Sequence, residues 1–139
     1  MKFRYQKFPL LGQDPRKPLV ARPLLPVFLV GKNHRTPCPY YALLDSGADR
    51  VIFPSELASH VGIYAIETGV RESAVGIAGQ RADVYYHQLS IEVVGDLRAL
   101  PTEVGFSREI VLPILGRSFF RHFRVVAFGE LKEEVELRP

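Results

Sequence analysis

The apolar residues of this chain fall into short runs and partly alternating segments, which limits how much helix it can form. Alternation is longest over residues 81–94, with a phase shift near Tyr85 and Tyr86. A period of two is typical of a strand with one buried face, and a phase shift in it is typical of a bulge. We therefore expect a long hairpin arm with a bulge in this segment.

Further short apolar runs predict strands at 27–30, 40–44, 104–106, 110–115, 125–128 and 135–137. Prolines near the first of these favour an edge position, because proline cannot donate to a ladder. Two short helices are expected: residues 54–61, ended by Gly62, and residues 119–123, with Ser118 as the N-cap. The sequence thus predicts an all-β fold with one or two short helices.

A chain of 139 residues, 47% of them apolar and 24% charged, fits one compact soluble domain. Residues 1–17 mix basic residues, prolines and a turn signal, so we expect an irregular N-terminal arm followed by a single domain over residues 18–139. The net charge of +3 is spread along the chain. That distribution does not indicate a nucleic-acid partner.

Cys38 is the only cysteine, which excludes an intrachain disulfide and a multi-cysteine metal site. His34 lies four positions before it, but two ligands fall short of a zinc site, and we expect no metal and no other cofactor. The lone thiol favours a reducing compartment, the cytoplasm. We see no signal peptide at the N-terminus and expect no membrane span, since the apolar run at 27–30 is too short.

The tripeptide Asp45-Ser46-Gly47 directly follows the apolar run at 40–44. Aspartate is seldom buried without a partner, serine can bond the backbone across a turn, and glycine permits a close approach. The same tripeptide is also a common turn sequence, so by itself it indicates little.

Two later segments strengthen the functional interpretation of Asp45-Ser46-Gly47. Residues 76–79, Gly-Ile-Ala-Gly, lie between two strand-like segments, and residues 114–117 read Ile-Leu-Gly-Arg. Glycines at a hairpin tip let its backbone approach a ligand, and a small apolar tip suits a lid over an extended peptide.

In this order and spacing the three segments resemble the retropepsin family, the single-domain aspartic proteases of retroviruses and their bacterial relatives. The family's signature is two apolar residues before Asp-[Ser/Thr]-Gly-[Ala/Ser], a glycine-rich flap, and an apolar-apolar-Gly loop before a short helix. The resemblance covers about residues 24–128. It implies a small closed β-barrel of the retropepsin type that forms half of a two-fold homodimer.

The resemblance also implies roles for the matching residues. Asp45 would be the catalytic carboxylate, Ser46 would bond the active-site loop of a second subunit, and Gly47 and Ala48 would line the cleft. The flap would consist of Gly76, Ile77, Ala78 and Gly79.

Around the cleft, Asp49 and Arg117 would form an ion pair, and Arg117 would belong to a structural loop with Leu115 and Gly116. The cleft walls would include Asp49 and the apolar side chains Val51, Ile52, Ile77 and Leu112. Arg50 departs from viral members that carry an acidic residue there, so their subsite preferences do not transfer.

Peptide hydrolysis by this route needs two carboxylates facing one water. The chain has one Asp-[Ser/Thr]-Gly, so the second Asp45 must come from another copy across a two-fold axis. We therefore expect a homodimeric aspartic endopeptidase acting on a peptide or protein substrate. Two alternatives stay open: a non-catalytic dimeric peptide-binding or assembly module of the same fold, and an unrelated small barrel in which Asp45-Ser46-Gly47 is only a turn.

Overall fold

The computed structural model describes residues 1–9 and 13–139. Its strands are β1 (Lys2–Arg4), β2 (Leu24–Val30), β3 (Tyr40–Leu44), β4 (Val51–Pro54), β5 (Val70–Val75), β6 (Arg81–Val93), β7 (Leu100–Ser107), β8 (Ile114–Leu115), β9 (Val125–Gly129) and β10 (Glu134–Arg138). Its helices are α1 (Arg117–Phe120) and the 3-10 helices Ser55–Val61, Ile66–Thr68 and Glu130–Lys132. Among the described residues no helix exceeds seven residues or could cross a membrane.

Six strands close into a barrel. Their order is β2-β3-β8-β4-β7-β6, and β6 pairs back with β2 to complete the ring. Strand β5 pairs with the first half of β6 and extends from the barrel as a hairpin. Closure removes the exposed edges that an open sheet would leave unpaired. The expected all-β barrel with short helices is confirmed.

The predicted edge position of the first apolar run is wrong. Strand β2 pairs with β3 over residues 24–27 and with β6 over residues 27–30. Because each partner bonds a different half of β2, Pro26 in the first half does not interrupt the ladder with β6. Proline content alone could not reveal this division.

The predicted bulge in β6 is also wrong. Its thirteen residues keep one unbroken register with β5 and one with β7. The phase shift in the sequence marks a change of surroundings instead. Val84 and Tyr86 are buried where β5 flanks the strand, whereas Ile91 and Val93 are buried where β2 replaces β5.

The N-terminal arm is not irregular throughout, as the sequence suggested. Strand β1 pairs antiparallel with β10, which pairs with β9, and we call this three-stranded unit the terminal sheet. Tyr5 is buried, and its hydroxyl donates to the Glu130 carboxylate at 2.8 Å. Local sequence did not signal a partner that lies at the opposite end of the chain. The expectation for residues 10–12 lies outside the described residues.

The helices lie where the sequence predicts them, with a different cap. The 3-10 helix Ser55–Val61 ends at Gly62, whose φ of +84° is the left-handed conformation that favours glycine. Helix α1 begins at Arg117, two residues earlier than expected, and has Gly116 as its N-cap, so the prediction of Ser118 as the cap is wrong. The fully buried Phe119 anchors α1 to the barrel core beside Phe123.

Candidate active site

The Asp45 side chain lies at the carboxyl end of β3, half-buried, in a turn fixed by main-chain bonds. The Asp45 N–H donates to the Leu115 carbonyl at 3.1 Å. The Gly47 N–H donates to Asp45 Oδ1 at 2.8 Å, and the Ala48 N–H donates to the Asp45 carbonyl at 3.2 Å. The carboxylate is therefore oriented by the backbone of its own turn.

Strand β8 connects this turn to a distant part of the chain. It pairs in parallel with β3 and antiparallel with β4, and so lies between the two strands that the Asp45 turn joins. Leu115, fully buried, pairs with Leu44 on one side and with Val51 on the other. The turn is thus held from behind by a buried strand.

Gly116, which follows β8, packs against the main chain of the Asp45 turn. A Cβ atom there would lie 2.3 Å from the Arg50 carbonyl oxygen and 2.6 Å from that of Ala48. Next to it, the Arg117 N–H donates to the Ala48 carbonyl at 2.8 Å. Only glycine allows two backbones to approach this closely. We call residues 45–50 together with 114–118 the floor.

The ion pair expected between Asp49 and Arg117 is present at the edge of the floor. Arg117 Nη2 lies 2.5 Å from Asp49 Oδ1, and Arg117 Nε lies 3.2 Å from the same oxygen. Both side chains are largely exposed, so water screens the attraction and the pair contributes at most about 1 kcal/mol. Its effect is to orient two side chains beside the Asp45 turn.

A second ionic group, which the sequence did not reveal, joins the floor to β5. Arg50 contacts the Glu103 carboxylate, and its Nη1 lies 3.4 Å from Glu72 Oε2 on β5. Its guanidinium carbon also lies 4.0 Å from the centre of the Tyr86 ring. Burial is the main cause that raises the pKa of Tyr86, so the phenol stays neutral under this cation. These partners come from three strands, a proximity that local patterns do not encode.

The β5–β6 hairpin ends in the predicted glycine segment, and we call residues 76–80 the flap tip. The Gly76 N–H donates to the Gln80 carbonyl and the Gly79 N–H to the Gly76 carbonyl, each at 2.9 Å. Gly79 has a φ of +82°, the left-handed region. Ile77 between them is fully exposed. The tip is a tight turn that presents an apolar side chain to solvent.

A groove of about 320 Å³ separates the floor from β5. It is lined by Gly47, Ala48, Asp49, Arg50, Ile52, Glu72, Ser73, Ala74, Val75, Tyr86 and Ile114. Four predicted site residues therefore lie together here, namely Gly47, Ala48, Asp49 and Ile52. Asp45 and Ser46 directly precede Gly47 in the chain. Arg50, Glu72 and Tyr86 form a polar wall that sequence reasoning missed.

Two predicted cleft walls have other positions. Val51 is fully buried in the core, because successive residues of β4 face opposite sides and it is Ile52 that lines the groove. The prediction of Val51 as a cleft wall is therefore wrong. Leu112 is half-buried in the loop that precedes β8.

Histidine and cysteine side chains are dispersed, and within residues 1–9 and 13–139 no three His, Cys, Asp or Glu side chains cluster to hold a metal ion. Cys38 is exposed. His87 Nε2 lies 2.8 Å from the Ile66 carbonyl oxygen, and His122 Nε2 lies 3.3 Å from Thr102 Oγ1. Each of these two rings thus has its own polar partner elsewhere in the fold.

Comparison with solved structures finds the same architecture in a viral enzyme. The EIAV protease complexed with the inhibitor HBY-793 matches with a TM-score of 0.54 and 21% sequence identity, over 79% of this chain and 91% of that one. No protein-family model and no curated protein matches the sequence. The chain has a retropepsin-like fold.

Proposed function

We propose that the protein is a homodimeric aspartic endopeptidase in which two copies of Asp45, one from each subunit, hydrolyse peptide bonds. The observation that carries the proposal is the Asp45 turn. Its carboxylate is held by the Gly47 N–H at the end of a buried strand, beside a groove in a retropepsin-like fold. A module that only binds peptides would need no pair of carboxylates.

The chemistry divides between the two carboxyl groups. Two carboxyls about 3 Å apart do not both ionise, so they share one proton. The ionised group accepts a proton from a water whose oxygen attacks the carbonyl carbon of the substrate. The protonated group donates to the carbonyl oxygen, which gives a neutral tetrahedral intermediate, and proton return to the nitrogen then releases the amine.

Other residues of the floor would support this reaction. Ser46 is exposed in one subunit, as a hydroxyl that bonds the loop of a second subunit would be. Gly47 and Ala48 line the groove, where small residues leave room for the main chain of an extended peptide. Residues 76–79 at the flap tip would cover that peptide from the opposite side.

The groove also suggests the kind of substrate. Ala48, Ile52 and Ile114 give it an apolar side, and Val75 adds to this from β5. Such a surface accepts an aliphatic side chain of the substrate through burial of apolar area. The polar wall formed by Arg50 and its partners would face an adjacent subsite.

Replacement of Asp45 by asparagine tests the proposal. The wild-type protein should cleave a mixture of unstructured peptides within about pH 4–6, where a dyad that shares a proton is active. Asp45→Asn should lower the rate at least about a thousandfold, since both proton transfers are lost, with no loss of fold or dimer. Asp14→Asn, a carboxylate on the N-terminal arm, is the control and should cleave normally.

Two results would contradict the proposal. Cleavage by Asp45→Asn at the wild-type rate would show that Asp45 takes no part in the reaction. A wild-type protein that is a confirmed dimer and yields no peptide fragments would favour the non-catalytic module of the same fold.

A further inference from the structure

We propose that the groove prefers a substrate with a positively charged side chain, and that Glu72 on β5 recognises this charge. The inference deepens the proposed function, on which it rests, because it names the chemistry of one substrate side chain. Within the described part of the chain, three ionic side chains line the groove, namely Asp49, Arg50 and Glu72. Their ion-pair partners leave one negative charge in excess.

Asp49 and Arg50 are each balanced by a partner outside the groove. Arg117 pairs with Asp49, and Glu103 pairs with Arg50. Neither partner lines the groove, and both line an adjacent cavity of about 440 Å³. Glu103 is held there by Gln88, whose Nε2 donates to Glu103 Oε2 at 2.9 Å. These two ion pairs therefore add no net charge to the groove.

Glu72 shares its cation with another carboxylate. In residues 1–9 and 13–139 its one ionic partner is Arg50, which also pairs with Glu103. The distance from Glu72 Oε2 to Arg50 Nη1 is 3.4 Å, longer than an ordinary hydrogen bond, whereas Arg50 Nη2 is in direct contact with Glu103. Glu72 is therefore the carboxylate whose charge is least compensated. Its side chain is 48% exposed, so a substrate can reach it.

The other arginines of the β5–β6 hairpin do not supply the missing positive charge. Neighbouring residues of a strand face opposite sides, so Arg71 faces away from Glu72, and it pairs with Asp83 at 3.0 Å. Arg81 lies opposite Val75 near the flap tip and is not among the residues that line the groove. The groove therefore keeps its excess negative charge.

Arg50 does not turn the groove into a site for anions. Its Nη1 and Nη2 are directed to Glu72 and Glu103. Its guanidinium carbon lies 4.0 Å from the centre of the Tyr86 ring. An acidic side chain of the substrate would have to displace one of these carboxylates to reach the arginine. A basic side chain would instead meet Glu72 directly.

The groove also has apolar surface for the stem of a basic side chain. Lysine and arginine carry methylene groups that pack on apolar surface while the charged head stays in polar surroundings. Ile52 and Ile114 line one side of the groove. Ala74, two residues along β5 from Glu72 and on the same face of the strand, lines the other. The stem of a lysine or arginine can lie between these surfaces with its head at Glu72.

Peptide mixtures test the preference. Short unstructured peptides are made in three versions, with lysine, norleucine or glutamate fixed at one position, and the fixed position is moved along the peptide. At one position relative to the cleaved bond, kcat/KM should fall in the order lysine, norleucine, glutamate, by about fivefold at each step, at about pH 6 and low salt. Norleucine has a stem like that of lysine without its charge, so the first ratio isolates the charge.

High salt should reduce these ratios, since Glu72 is half exposed and its attraction for a cation is screened. Equal rates with lysine and norleucine at every position would overturn the proposal. A preference for glutamate would overturn it as well.

Variants of three carboxylates test the source of the preference. Glu72→Gln should lower the ratio of lysine to norleucine below about twofold. Glu103→Gln should do the same from outside the groove, because it leaves Arg50 to neutralise Glu72. Glu92→Gln breaks an ion pair with Arg35 away from the groove and is the matched control, which should keep the ratio.

The ratio compares two peptides on the same sample, so it does not depend on the fraction of folded protein in a variant. A ratio that survives either of the first two substitutions, or that is lost in Glu92→Gln, would contradict the assignment to Glu72.

Binding of the same peptides, labelled with a fluorophore, separates this inference from the proposed function. A confirmed dimer that binds the lysine peptides about fivefold more tightly than the norleucine peptides and cleaves neither would support the charge preference and refute the peptidase. Cleavage at equal rates for all three versions would support the peptidase and refute the preference. A protein that neither cleaves nor binds them would contradict both.

Discussion

The floor and the flap tip both depend on glycine, for opposite physical reasons. Gly116 in the floor is surrounded by main chain, and a Cβ there would lie 2.3 Å from the Arg50 carbonyl oxygen. Gly79 in the flap tip has nothing within 4 Å of a Cβ, and it is the φ of +82° that favours glycine. Packing against another segment fixes the floor, whereas only its own turn fixes the tip. The same residue type thus marks a rigid surface in one region and a freely projecting one in the other.

The largest expected effect follows from placing the same substitution in both regions. Gly116→Ala should lower the free energy of unfolding by about 3 kcal/mol, because backbone atoms must move to admit the methyl group. Gly79→Ala should cost only about 1 kcal/mol, the strain of a left-handed alanine. Urea unfolding of both variants measures the difference. Equal losses would show that the floor is no more constrained than the tip.

The next effect separates function from stability. Ile77→Ser should lower kcat/KM about tenfold, which is about 1.4 kcal/mol of transition-state binding, because a tip without its apolar side chain covers the substrate less well. The free energy of unfolding should not change, since Ile77 is fully exposed. Tyr64→Ser, at another exposed position, is the control and should alter neither quantity. A loss of stability in Ile77→Ser would mean that the tip packs against the protein.

A smaller effect is expected where the two regions are joined. Arg50→Gln removes the cation that links the floor to Glu72 and Glu103, and should cost about 1 kcal/mol, less in high salt. Glu72→Gln in both backgrounds completes a double-mutant cycle that isolates the contact to β5. A coupling free energy of zero between Arg50 and Glu72 would show that this ion pair does not hold the β5–β6 hairpin.

The smallest expected effect is a pH dependence of the free energy of unfolding, which comes from a histidine beside helix α1. Burial lowers the pKa of His122 from its ordinary 6.5, and its ring contacts that of Phe119 in α1. The stability that this neutral ring contributes is complete above pH 6.5 and is lost as pH falls through the lowered pKa, because the unfolded chain then binds the proton first. His122→Asn should show a shallower decline on acidification. Identical urea-unfolding profiles for the two proteins would refute the assignment.

Local sequence predicted those parts of the molecule whose structure is local. The strand at 40–44 and the turn beginning at Asp45 were found, since an apolar run ended by Asp-Ser-Gly needs no distant partner. The glycine turn at 76–79 was found for the same reason. The resemblance to retropepsins then supplied the closed barrel, and comparison with the EIAV protease confirms that fold.

The failures concern partners that are remote in sequence. The resemblance placed both Val51 and Ile52 in the cleft, although neighbouring residues of a strand face opposite sides and the sequence does not say which side is buried. The first residues were expected to be irregular, although β1 pairs with β10 across the whole chain. Arg50 gave no sign that glutamates from two other strands surround it. In each case the missing information was the identity of the neighbour, which only the assembled barrel defines.

The position of β8 has a consequence for the order in which the protein folds during its synthesis. Leu115 is the partner of Leu44 and Val51, which are made much earlier during translation. Contacts between such distant segments form slowly, because closing the long intervening loop costs conformational entropy. Hairpins such as β5–β6 can form as they emerge from the ribosome, but the Asp45 turn waits until residues through Arg117 have followed. The peptidase proposed above would therefore be inactive in any nascent chain that ends before Arg117.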